Sequence, residues 1–186
     1  MSGIAIRTHC LIAAWLALSI PVGAQPAKTT TAQTAGAEQL AEFKSDGCSM
    51  FPDGSYYSCC YLHDIAYWPG GTKAEKDRAD AALRACVSGI TGKPELGQLM
   101  FHGVQAGGGP GLHTSYRWGY GWRWPYRNDY APLTAEELAQ VKGKTATLCK
   151  GLKLNAATGH VIVDVDREIT VDQAKRICPD LGGGPQ

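Results

Sequence analysis

The stretch CCYLHDIAYW, residues 59 to 68, decides how the rest of the chain reads. It holds no glycine or proline, and Pro69-Gly70-Gly71 follows it, so the run from Ser55 to Trp68 reads as one helix with a sharp stop. At about 100° per residue, Cys59, Cys60, His63 and Tyr67 fall within an arc of roughly 100°, with Asp64 at its edge. One helix face therefore carries two sulfurs, an imidazole and a phenol.

Just beyond, Thr72 and Glu75 form a capping box, in which each side chain satisfies a free backbone N–H at a helix start; the second helix then runs through about Val87. A turn this short lays neighbouring helices antiparallel, so that their middles meet. Ala79, Asp80, Leu83, Cys86 and Val87 share one face of the second helix. A carboxylate among small and apolar side chains is expensive to bury unless something pairs with it. His63, across the interface, is the obvious partner.

The pattern CCxxHDxxY, followed by Asp80 and by Cys86 six residues later, resembles the active-site helices of secreted phospholipases A2. The resemblance covers about residues 46 to 87 and implies a mainly α fold: an antiparallel helix pair stapled by disulfides, with a C-terminal extension containing a short strand. It implies that His63 activates a water, that Asp80 holds the imidazole, and that Asp64 binds calcium. It also implies the pairings Cys59–Cys86 and Cys48–Cys60. Tyr67, one turn beyond His63, is placed to hydrogen-bond Asp80 and keep it aimed. The preceding SDGCSMFPDG, residues 45 to 54, resembles the short calcium loop of prokaryotic and fungal members, which assigns the Asp46 carboxylate and the Gly47 carbonyl to the ion. Asp53 is a further candidate.

The activity so implied is calcium-dependent hydrolysis of a phospholipid acyl ester at the second glycerol position, with transient visits to a membrane surface. Calcium is a hard cation that takes oxygen ligands, which suits this donor set. Neither a serine nor a cysteine nucleophile is required. Two other readings stand beside it: a non-enzymatic, disulfide-stapled envelope protein that binds lipid or a partner, and a calcium-independent esterase. The dyad argues against the first, and a competent metal loop would argue against the second.

The remaining sequence sets the context. Residues 1 to 24 carry Arg7, an apolar run from Leu11 to Ile20 and Val22-Gly23-Ala24, the pattern of a secretory leader cleaved before Gln25. The apolar run is about half of the roughly 20 residues a spanning helix needs. Export to the periplasm or beyond is the expectation. Cys10 leaves with the leader, and an even set remains: Cys48, Cys59, Cys60, Cys86, Cys149 and Cys178. In an exported chain such a set predicts disulfides, although counting alone does not choose among pairings. Once the family pairs are assigned, Cys149 and Cys178 are left to clip a C-terminal helix to the preceding one. Without Arg7 the chain balances 17 basic against 17 acidic residues, so bulk charge favours neither nucleic acid nor an anionic membrane.

Residues 25 to 38 read as a flexible tether, 39 to 92 as the core, and 93 to 186 as a glycine-rich and aromatic segment with a helical extension of the same domain. Helical signals weaken after Gly89, and residues 103 to 130 read as irregular. Thr134 with Glu137 opens a helix ending near Cys149, HVIVDV at 160 to 165 alternates like a strand, and Thr170 with Gln173 caps a last short helix ending at Cys178-Pro179. DVDREITVDQAK, residues 164 to 175, superficially resembles a calcium loop of the helix-loop-helix kind, but Ile169 and Lys175 occupy the positions needing glycine and glutamate. His102, His113 and His160 lack ligand spacing. RWGYGWRW, residues 117 to 124, suits either a membrane-interface patch or core packing with arginines stacked on the rings, and packing is favoured.

Overall fold

A computed structural model describes residues 38–181; the leader and all but the last residue of the tether lie outside the described residues. Five helices and a small sheet follow in the order α1 (Tyr57–Tyr67), α2 (Lys73–Thr91), α3 (Pro94–Gly107), α4 (Ala135–Gly151), β1 (Lys153–Leu154), β2 (Val161–Asp164), β3 (Arg167–Ile169) and α5 (Val171–Ile177). The chain is mainly helical, and its three disulfides join Cys48 to Cys60, Cys59 to Cys86, and Cys149 to Cys178.

Helix α1 is buried on nearly every side: Tyr57 through Tyr61, His63, Asp64 and Tyr67 are all inside. That is the pattern of a helix at the centre rather than on the surface. The capping box at Thr72 forms as the sequence indicates, and α2 ends at Gly92 in the left-handed conformation that glycine favours. Cys59 bonds to Cys86 while His63 and Tyr67, further along α1, both reach Asp80, earlier on α2. The two helices are therefore antiparallel.

Helix α3 is absent from the sequence reading, which finds only weak signals after Gly89. It opens with Pro94 in its first turn and lies against α2 more extensively than any other element does. Gly97 permits the approach: a Cβ there would stand 2.2 Å from Ser88 Oγ and 2.6 Å from the Arg84 carbonyl. Met100 and the half-buried Leu96 and Val104 then join Cys48, Cys59, Cys60, Leu83 and Val87 in one apolar cluster.

The aromatic segment packs rather than faces outward. Arg117, Trp118 and Trp122 are buried, and the Trp118 and Trp122 indoles donate to the carbonyls of Gly71 and Pro69 in the α1–α2 turn. Arg117 serves the segment less by stacking than by donating to four carbonyls, those of Trp118, Trp122, Tyr126 and Arg127. A buried guanidinium with its donors spread over irregular backbone replaces the ladder that regular structure would supply. Glu137, buried at the start of α4, receives Tyr126 Oη and faces Arg127 at 3.4 Å, joining the segment to α4.

The three strands form an antiparallel sheet in the order β1-β2-β3, so HVIVDV contributes its central strand and DVDREITVDQAK runs from β2 through a turn and β3 into α5. Val161, Ile169 and Ala174 pack on Tyr57 and Tyr61 of α1. No helix among the described residues is long and apolar enough to cross a membrane.

Candidate functional site

The antiparallel crossing of α1 and α2 brings the imidazole of His63 to the carboxylate of Asp80. The His63 Nε2 to Asp80 Oδ1 distance is 3.0 Å, and both residues are buried. Tyr67 Oη donates to the same carboxylate oxygen at 2.6 Å, and the His63 and Tyr67 rings lie 4.0 Å apart. The expected triplet of His63, Asp80 and Tyr67 is thus assembled by two helices and one disulfide.

Two further donors, absent from the sequence reading, complete the carboxylate. Lys76 Nζ lies 2.7 Å from Asp80 Oδ2 and is itself 2 % exposed, and Gln105 of α3 donates to the same oxygen. Lys76 was legible as an i,i+4 partner on the same helix face. Gln105 was not, because α3 was not.

Burial pulls the His63 imidazole below the ordinary histidine value, and the nearby Lys76 charge adds to that, against the opposing hydrogen bond to Asp80. At neutral pH the ring is therefore neutral. Burial pushes the Asp80 carboxyl up, but hydrogen bonds from His63, Lys76 and Tyr67 outweigh it and hold the group below the usual carboxylate range. A neutral imidazole beside a fixed carboxylate is the protonation state a general base needs.

Nε2 is committed to Asp80, and Nδ1 makes no hydrogen bond among the described residues, nor is it sealed away from solvent. His63 lines a cleft of about 200 Å³ that is apolar for most of its lining, with Phe51, Leu83, Met100, Val104 and Tyr116 as walls and Asp64 and Tyr67 beside the imidazole. Such a combination of an apolar cleft and a few convergent polar groups marks a binding site for a largely apolar molecule.

Asp64 follows His63 on α1 and is 7 % exposed. Its Oδ2 accepts Ser45 Oγ at 2.5 Å, and the Asp46 backbone N–H also donates to the carboxylate. Burial pushes the Asp64 carboxyl up to about 8, and the Asp46 and Asp53 charges push the same way. Its partners are neutral donors and its charged neighbours are anions, so the ionised form lacks a compensating cation. Gly47 sits in the loop with φ +76 and lines the cleft. Asp46 is exposed, and its Oδ1 accepts Ser49 Oγ at 2.6 Å.

Asp53 is engaged elsewhere. One oxygen accepts the Cys48 N–H at 2.9 Å, the other faces Arg167 at 3.2 Å, and its carboxylate fills the space above Gly47 where a Cβ would meet it at 2.5 Å. It braces the loop. Among the described residues no three His, Cys, Asp or Glu side chains group closely enough to hold a metal ion by themselves. A cation at Asp64 would depend on carbonyl, water or substrate oxygens for the rest of its shell, which is ordinary for calcium. Tyr120 Oη, donating to the Lys44 carbonyl at 2.8 Å and the Asp64 carbonyl at 3.3 Å, ties the loop's start to α1.

Comparison of the chain with family models, with curated proteins and with solved structures returned no match.

Proposed function

We propose that this protein is a calcium-dependent hydrolase of phospholipid acyl esters, a member of the secreted phospholipase A2 superfamily working in the periplasm or outside the cell. The observation that carries the reading is the His63–Asp80 pair at 3.0 Å, with His63 and the buried carboxylate of Asp64 side by side in the lining of an apolar cleft. A pure binding scaffold has no use for an imidazole–carboxylate pair at a cleft. Its three disulfides support an oxidising compartment.

In this mechanism His63 Nδ1 accepts a proton from water as the water oxygen bonds to the ester carbonyl carbon. Asp80 keeps the hydrogen on Nε2 and stabilises the imidazolium as it forms, with Tyr67 fixing the carboxylate. The imidazolium then returns its proton to the departing alkoxide oxygen as the ester C–O bond breaks, giving a fatty acid and a lysophospholipid. General-base assistance of this kind contributes about 10²- to 10⁴-fold in rate. Phe51, Leu83, Met100 and Val104 would take the acyl chain out of water.

The donors present suit calcium: a buried carboxylate at Asp64 without a cation of its own, and loop oxygens from the Gly47 carbonyl and Asp46. When bound, the ion would supply positive charge for the ester carbonyl oxygen and the substrate phosphate. By resemblance the bond cleaved is at the second glycerol position.

The test is fatty-acid release from mixed phospholipid vesicles, with calcium or with chelator, by the wild type and by a His63→Gln variant whose fold has been checked by circular dichroism. Calcium-dependent release that falls by at least about 10²-fold in the variant is expected. A folded wild type that binds vesicles or calcium yet releases nothing would instead favour the non-enzymatic lipid-binding reading, and release that ignores chelator would favour a calcium-independent esterase.

A further inference from the structure

Lys76 is the least accountable side chain near the dyad. A lysine on the second turn of an ordinary surface helix points to water, yet Lys76 is 2 % exposed. Its ammonium lies 2.7 Å from Asp80 Oδ2 and 3.2 Å from the Val104 carbonyl, with the Tyr67 ring 5.3 Å away. Burying an ammonium is costly unless charge and hydrogen bonds compensate it.

The division of labour on Asp80 shows what the ammonium does. Oδ1 faces His63 Nε2 and receives Tyr67 Oη, while Oδ2 receives Lys76 Nζ and Gln105 Nε2. A carboxylate has about four lone-pair sites, so this one is saturated, two donors to each oxygen. Without the pair on Oδ2 the carboxylate could rotate about its last side-chain bond, a torsion with broad wells. Oδ1 would then leave the imidazole. Lys76, through the Val104 carbonyl, and Gln105, through Asp80 itself, tie α3 to a dyad built on α1 and α2.

We propose that Lys76 is a positioning residue of the His63–Asp80 pair: with Gln105 it holds one oxygen of Asp80 so that the other stays on the imidazole. This rests on the hydrolase reading only for its kinetic consequence. The geometric consequence, a single imidazole tautomer with hydrogen on Nε2, stands apart from any activity.

The experiment compares the full chain with its Lys76→Met and Gln105→Leu variants by ¹⁵N chemical shifts of His63 and by steady-state hydrolysis of phospholipid vesicles. Gln105 is exposed, so its variant keeps the fold even where loss of Lys76 does not. Wild type is expected as one tautomer and both variants as mixtures. In Lys76→Met kcat should fall on the order of tenfold to a hundredfold, by analogy with the loss of an outer partner of a metal-bound histidine, with KM and calcium affinity changed by no more than about twofold. Gln105→Leu should move in the same direction by less. A folded Lys76→Met that keeps one tautomer and wild-type kcat overturns the proposal; if Lys76→Met does not fold, a folded Gln105→Leu that keeps both does so. If wild type releases no fatty acid, the hydrolase reading fails, and the tautomer comparison alone decides the role of Lys76.

Discussion

At Asp64 the protein buries a carboxylate among neutral donors and other acids, and the consequence has a definite sign. In the metal-free chain its folded-state value, about 8, lies above the unfolded one of 3.8, so the stability tied to its protonated form is complete below the unfolded value. That stability is lost as pH rises through the folded value, at up to about 1.4 kcal/mol per pH unit. His63 and Asp80, both shifted down, act in the other direction: each contributes stability at higher pH that disappears on acidification. The informative quantity is therefore the difference between wild type and Asp64→Asn. Thermal melts in chelator from pH 5 to 8 should show wild type losing stability relative to the variant as pH rises, and calcium should reverse the loss in wild type alone. Parallel curves would show that Asp64 is already ionised and solvated. His63 and Tyr67 were legible as neighbours because helical spacing is local, whereas the role expected of Asp64 came from the resemblance. The engagement of Asp53 was not, because its partner Arg167 lies 114 residues further along the chain.

Among the elements, α1 and α2 were readable from their stop signal, their capping box and the spacing of polar groups on apolar faces. Helices α4 and α5 were likewise announced by Thr134 with Glu137 and Thr170 with Gln173, and both capping boxes form. Helix α3 escaped because three glycines, Gly97, Gly103 and Gly107, dilute its propensity. The glycine that hid it is what seats it. Gly97→Ala should gain about 1 kcal/mol in helix propensity and lose more, since its Cβ would meet the Arg84 carbonyl at 2.6 Å, a backbone atom that cannot step aside. A net loss of about 1–2 kcal/mol is expected, visible as a melting temperature lower by several degrees. Adding Ser88→Ala removes only the Oγ contact at 2.2 Å and should recover part of the loss. A variant as stable as wild type would mean that α3 can slide on α2, and the Gln105 and Val104 contacts to the dyad would then be loose as well.

For the whole molecule, the long segment beyond the helix pair had no evident purpose in the sequence, and its contacts supply one. The aromatic segment grips the α1–α2 turn through Trp118 and Trp122, while β2, β3 and α5 cover Tyr57 and Tyr61 of α1. Gln173 reaches Ser58 at 2.9 Å, and the Cys149–Cys178 bridge closes the extension on α4. The extension also touches the candidate metal loop directly, through Arg167 and Asp53. Asp53 in turn accepts the Cys48 N–H and packs over Gly47, so the order of this loop is set partly by a hairpin far along the chain. The pair is partly exposed, 35 % and 26 % on its two sides, which limits it to about 0.2–1 kcal/mol. Arg167→Ala should therefore leave the fold and the His63–Asp80 pair intact while raising hydrogen exchange at the Cys48 amide by up to about fivefold, the factor that 1 kcal/mol allows. Exchange on α1 and α2 should not change. Faster exchange throughout the molecule would show that Arg167 supports global stability instead, and unchanged exchange at Cys48 would show that its disulfide to Cys60 already holds the loop without help from the hairpin.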